Sequence, residues 1–168
     1  MARLFVALWP TPEVIEQLRG VDRPDIVGLR WTTEDQWHVT LQFLGEGNED
    51  AMADKLTSAR WTTRPLDMRL GPEVTMLGRE IVCLPAFAPG LDKLARQVSE
   101  ITGLRRTNRF KGHLTLARAR NKAPKAALEA LKGTPFEAGW TADKVALVRS
   151  ALSPGGARYE TVVESALG

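Results

Sequence analysis

The chain has 168 residues, enough for one domain with a sound core, and its 43% hydrophobic and 26% charged residues are those of an ordinary globular protein. The N-terminal stretch Leu4–Trp9 is too short to span a bilayer and lacks a small-residue cleavage site, while the lone Cys83 excludes an internal disulfide and a cysteine-based zinc site. A net charge of +3 suits a phosphate-bearing partner without demanding one, and a cytoplasmic monomer with no membrane association is expected.

Residues 3–9 read as a strand stopped by Pro10, and Pro12 with Glu13 behind it opens a helix to about Arg19. A loop carrying Pro24 leads to a short extended piece at Leu29–Thr33. Trp37 to Leu44 alternates with a period of two. That alternation puts Val39, Leu41 and Phe43 on one side and His38, Thr40 and Gln42 on the other, so Phe43 is expected to pack in the core. A turn at Gly45–Asp50 precedes a helix over Glu49–Arg60.

Leu66–Leu70, Glu73–Leu77 and Ile81–Leu84 look like successive strands, the last two joined by a hairpin turn at Leu77-Gly78-Arg79-Glu80. Pro89 to Ile101 is helical, with Leu91, Leu94, Ala95 and Val98 on one face. A strand follows over about Gly112 to Arg118, then a helix from Pro124 to Leu131 ended by Gly133. Lys144–Ser150 and Arg158–Val163 form a hairpin around Ser153-Pro154-Gly155-Gly156. Short strands joined by hairpins, with helices between them and no linker, predict an α+β fold with antiparallel pairing.

The chain has two histidines, and both lie in the same setting: His38-Val39-Thr40-Leu41 and His113-Leu114-Thr115-Leu116. Given a histidine, Thr and Leu at those offsets arise by chance roughly once in a hundred, so the repeat of this His-x-Thr-x motif is informative. On a strand the histidine and the threonine of each motif share a face, roughly 7 Å apart, while the residues between anchor the core. Taken singly, such a histidine is more often a surface or hydrogen-bonded residue than a catalyst. As a facing pair, the two can hold a proton donor and a proton acceptor across one anion, with the threonine hydroxyls on its oxygens. Arg105, Arg106, Arg109 and Lys111 crowd ahead of His113, as a phosphate-attracting rim or as a solvated loop.

These motifs, with Arg3-Leu4-Phe5-Val6-Ala7, Arg30-Trp31, the stretches His38–Gly45 and Arg109–Arg118, and the tail from Leu147 to Glu160, resemble the 2H phosphoesterase superfamily. More narrowly they resemble the RNA 2′,3′-cyclic phosphodiesterases, also called 2′-5′ RNA ligases. The resemblance runs from end to end. It implies one domain over residues 1–168 with two lobes: antiparallel sheets in a pseudo-two-fold arrangement, outer helices and a central cleft. It also implies hydrolysis of RNA or nucleotide 2′,3′-cyclic phosphate ends to 2′-phosphomonoesters, with no cofactor and no metal.

Carried over residue by residue, the resemblance makes His38 the general acid and His113 the general base. Thr40, Thr115 and Arg118 would hold the phosphate. Strict alternation places Arg118 on the face opposite His113, so it reaches the cleft only if the strand twists, bulges or ends there. Gly112 stands where relatives often carry proline, which predicts a looser start to the strand. Trp31 and Tyr159 are candidates for stacking on a base, with core packing the alternative, and Arg109 for an RNA phosphate, with solvation the alternative. Ligation of a cyclic phosphate end to a 5′-hydroxyl, and a non-catalytic module that binds RNA ends, are the competing functions. A metal hydrolase is disfavoured by the histidine spacing.

Overall fold

In the computed structural model, which describes residues 2–120 and 123–168, the apolar N-terminal stretch forms β1 (Ala2–Leu8), a strand buried on both faces. Its pleat divides the molecule. Leu4, Val6 and Leu8 enter the main core, whereas Phe5 and Ala7 join Ala146 and Val148 in a second, smaller cluster on the other side of the sheet.

β3 (Val39–Gly47) and β9 (Lys144–Ser153) flank β1, and β10 (Gly156–Ala166) pairs with β9 at the edge. β7 (His113–Ala119) continues the sheet from β3, followed by β6 (Ile81–Phe87), β4 (Leu66–Leu70) and β8 (Ala138–Ala142). Two short strands sit off this path: β2 (Leu29–Trp31) on β7 and β5 (Thr75–Leu77) on β6. All of these pairings are antiparallel, as the hairpin signals predict. Two four-stranded halves therefore meet at β3 and β7, giving the two-lobed arrangement that the resemblance implies.

Helices cover the main core. α1 (Pro12–Arg19) buries Val14 and Leu18, α2 (Glu49–Thr57) buries Leu56, and α3 (Leu91–Thr102) buries Leu91, Leu94, Ala95 and Val98. α4 (Lys125–Leu131) buries Leu128 and Leu131. α2 stops at Thr57, three residues short of the sequence expectation, and its last turn is closed by Ser58, whose amide donates to the Asp54 carbonyl. β8 has no counterpart in the sequence reading. Its Ala-Gly-Trp-Thr-Ala run is strand-like only because Ala138, Trp140 and Ala142 find β4 to pack beside. No helix of the described residues is long and apolar enough to cross a membrane.

Two bulges decide where side chains point. β1 pairs Val6 with Gln42 and Ala7 with Thr40, so Leu41 is one residue too many on β3. β6 pairs Val82 with Ala117 and Cys83 with Thr115, so Leu116 is one too many on β7. The leucine that closes each His-x-Thr-Leu is thus the extra residue of a bulge, and alternation changes phase behind it. Phe43 consequently shares a face with Thr40 and is 71% exposed, which corrects the expectation that it packs in the core. Arg118 likewise comes round to the face of Thr115.

Gly112 is also not the loose start that sequence suggests. Its carbonyl accepts a hydrogen bond from the Ala86 amide at 3.0 Å, and a Cβ at this position would lie 2.3 Å from the Ala86 carbonyl oxygen. The backbones approach so closely that only glycine fits, and the close approach fixes the start of β7.

Candidate active site

The chain from Leu29 to Val39 runs antiparallel along one edge of β7 but leaves it once. Thr32 still donates its amide to the Leu116 carbonyl at 2.8 Å; the chain then lifts into a single 3-10 turn, Glu34–Gln36, and returns where Val39 pairs with Leu114. His38 sits at the point of return. The Gln36 side chain donates to the Ala157 carbonyl at 2.6 Å and so ties this turn to β10.

The Val39–Leu114 pair is the described register between the two motif strands, and both side chains are fully buried. Extended by one residue either way, that register sets His38 opposite Thr115 and Thr40 opposite His113, all four on the face that Val39 and Leu114 do not use. The motifs are related by a local two-fold through this pair.

Both rings are held in the same way. His38 Nδ1 lies 2.7 Å from the Gln36 carbonyl oxygen, and His113 Nδ1 lies 2.7 Å from the Lys111 carbonyl oxygen. A carbonyl can only accept, so each Nδ1 carries a proton and each Nε2 is turned away from the backbone. Thr40 Oγ1 is 2.9 Å from His38 Nε2, to which its hydroxyl donates.

His38 is walled by aromatic rings that the sequence reading did not connect with it. Phe5, Tyr159 and Trp9 stand 4.9, 5.3 and 5.6 Å away between centroids, and the last two meet it edge-on. Burial in this setting, and behind it the positive charge of Arg118, holds the His38 pKa down to about 4 against the pull of the Gln36 carbonyl. The ring is neutral at rest. Phe5 and Trp9 could have been found from the pleat of β1, since with Ala7 they form the face opposite Leu4, Val6 and Leu8.

The bulge at Leu116 turns Arg118 to the face of Thr115, and its charge is among the influences that lower the pKa of the His38 ring. The bulge that turns it there is braced by Thr32. The Thr32 hydroxyl donates to the carbonyls of Thr115 and Leu116, each at 2.9 Å, and accepts the Trp37 indole N–H at 3.1 Å. One hydroxyl therefore connects the residue before His38 with the bulge behind Thr115.

From Thr40 and His113 a groove of about 790 Å³ runs along the segment 105–111. This segment is fastened to β3: Gln42 donates to the Leu104 carbonyl at 2.8 Å, and Arg106 donates to the Leu41 carbonyl at 2.6 Å while lying 5.0 Å over the Phe110 ring. Arg106 is therefore a brace and not part of a rim. Arg105, Arg109 and Lys111 remain exposed along the groove, with Phe43 across from them. Of the other candidates, Tyr159 is brought to the site, whereas Trp31 packs on the main core and donates its N–H to the Pro24 carbonyl at 2.9 Å. Among the described residues, no three His, Cys, Asp or Glu side chains group in a way that could hold a metal ion.

A family model described as the 2′-5′ RNA ligase superfamily matches residues 6–153. A curated protein of Methanocaldococcus jannaschii, named RNA 2′,3′-cyclic phosphodiesterase, is 22% identical over 96% of this chain and 99% of its own length. Among solved structures, Escherichia coli LigT complexed with NADP+ is 26% identical with a TM-score of 0.73, the match covering 99% of this chain and 98% of that one. A second crystal structure, of a phosphoesterase, is 25% identical with a TM-score of 0.76 over 99% of both chains.

Proposed function

The chain belongs to the 2′-5′ RNA ligase superfamily, and from that premise we propose that it hydrolyses 2′,3′-cyclic phosphate ends of RNA or nucleotides to 2′-phosphomonoesters. The observation that carries this reading is the shared register of the two motifs, which gathers two imidazoles and two hydroxyls on one face around a local two-fold. The name of the archaeal relative supports the same reaction.

In this reading the cyclic phosphate lies between the rings with Thr40, Thr115 and Arg118 on its non-bridging oxygens. A water oxygen attacks phosphorus in line with the bond to O3′ and loses its proton to His113 Nε2. That P–O3′ bond breaks, and O3′ takes a proton from His38 Nε2, leaving the phosphate on O2′. The two histidines end with exchanged protonation and are reset through solvent. Both proton transfers are supplied by side chains, so the chemistry calls for no metal.

The direct test is incubation with a nucleoside 2′,3′-cyclic phosphate in the presence of EDTA, with the product isomer identified. The 2′-phosphate is expected. A 3′-phosphate, or turnover abolished by the chelator, overturns the reading.

The low pKa of His38 gives a second expectation. A neutral ring cannot donate to O3′, so the anion itself must charge it: a bound phosphate beside Nε2 favours the imidazolium and raises the pKa. At pH 6, between about 4 and the raised value, ligand binding is therefore accompanied by proton uptake. The substrate monoanion bound to an inactive His113→Ala protein isolates this, because it has no titrating proton of its own in that range. Calorimetry in buffers of different ionisation enthalpy reads the uptake, which His38→Ala removes. Binding without proton uptake would instead make His38 the base and exchange the two roles.

A further inference from the structure

His38 is held by more than His113 is, although the two motifs are otherwise alike. Each Nδ1–H meets the carbonyl two residues earlier, but Lys111 leaves its side chain exposed, whereas the Gln36 amide is itself bound at both ends. Its Oε1 accepts the Thr33 amide N–H at 3.1 Å, which closes the 3-10 turn, and its Nε2 donates to the Ala157 carbonyl on β10 at 2.6 Å. Two residues along β10 from Ala157 stands Tyr159, one of the rings that pack against His38. A second tie runs beside the first. Arg30, whose side chain shares a face with that of its cross-strand neighbour Arg118, donates to the Gly155 carbonyl, and its guanidinium lies too close to Gly156 for a Cβ there. The chain on its way to His38 thus grips the β9–β10 hairpin twice, and that hairpin carries part of the wall around the ring.

We propose that Gln36 is a positioning residue for the proton transfer at His38: its carbonyl orients the ring, while its side chain fixes that carbonyl and seats the aromatic wall behind it. The proposal rests on the cyclic phosphate reading, in which His38 Nε2 serves O3′. On an unfastened turn the carbonyl would swing, and the ring would sample both tautomers and other orientations. With the amide tied to Thr33 and Ala157, the carbonyl, the ring and Tyr159 form one fixed unit. The titratable and charged neighbours of the ring are Tyr159 on β10 and, from β7, His113 and Arg118, while β1 presents the uncharged rings of Phe5 and Trp9. Loosening the wall admits water beside the imidazole. Water favours the charged form, so the pKa rises; a weaker carbonyl contact opposes this, but burial is the larger influence.

The test is nitrogen NMR of the imidazoles, which reads proton affinity and tautomer together; with two histidines in the chain, His113→Ala assigns the signals. Gln36→Met removes both side-chain hydrogen bonds, and Gln36→Asn keeps an amide that is one methylene too short to reach both partners. Each is expected to raise the His38 pKa from about 4 to about 5 or above and to admit the second tautomer. Each should also lower kcat on a nucleoside 2′,3′-cyclic phosphate on the order of tenfold, with KM changed less. Arg30→Met loosens the hairpin from an exposed position and leaves the turn intact, so it moves the titration the same way by less. The positioning role is overturned if both Gln36 variants melt earlier yet titrate and turn over as the unaltered protein does, which is what a purely structural residue would give. It is equally overturned if the titration or kcat moves without the other. An unmoved titration in Arg30→Met overturns the hairpin as the route. The NMR reading needs no turnover, and hydrolysis by the unaltered protein reports on the parent reading separately.

Discussion

His38→Ala and His113→Ala are each expected to lower kcat for opening a nucleoside 2′,3′-cyclic phosphate by about 10²–10⁴-fold, with KM changed far less. In the proposed mechanism each ring performs one of two proton transfers that belong to the same displacement, so loss of either leaves O3′ without its proton or water without its base. The two losses should not add. With one partner gone, the other has little left to assist, and the double variant is expected close to the weaker single one. The fold should survive both changes. Each ring hangs from a backbone carbonyl at the mouth of a cleft, and the flanking Val39 and Leu114 keep the strands paired. Circular dichroism and thermal melting, measured beside steady-state rates, separate lost chemistry from lost structure. A single histidine variant that keeps full turnover would break the paired-imidazole mechanism.

Arg118→Met is expected to cost about 10²–10³-fold in kcat, since in the proposed mechanism this cation meets charge that grows on the phosphoryl oxygens and so favours the transition state most. Arg118→Lys should recover only part of this, because an ammonium on a flexible stem cannot reproduce the forked donor pair of a guanidinium. The bulge supplies a companion measurement. Thr32→Val leaves the side chain's size almost unchanged but removes the hydroxyl that holds the Thr115 and Leu116 carbonyls and accepts the Trp37 N–H. Its effect should run in the same direction and be smaller, about tenfold, and it should vanish when Arg118 is already methionine. If Thr32→Val were equally harmful in both backgrounds, its role would be to support the strand and not to aim Arg118.

Most of the architecture could be read from local pattern because the pattern is local. The helix over Pro12–Arg19 matches its expected bounds, as proline at its first turn and a basic last turn would predict. α3 buries the four residues named from their spacing. β8 escaped notice for the opposite reason: its alanines and glycine carry almost no intrinsic strand preference, and only β4 beside it makes them a strand. The aromatic wall around His38 escaped because Phe5, Trp9 and Tyr159 are far apart in the chain and converge through the β1–β9–β10 pairing.

The sequence by itself determined the pair of His-x-Thr-Leu motifs, the antiparallel class of the fold, and which residues are candidates for the chemistry, since these depend on residue identity and on spacing within a single strand. Only tertiary structure decided the direction of Arg118 and Phe43 and the low proton affinity of His38. Whether a strand holds one residue too many is a property of its partner's register, so counting by twos along β3 or β7 cannot see Leu41 or Leu116 as extra. Whether an imidazole is charged depends on what excludes water from it, and the rings that do so arrive from other parts of the chain.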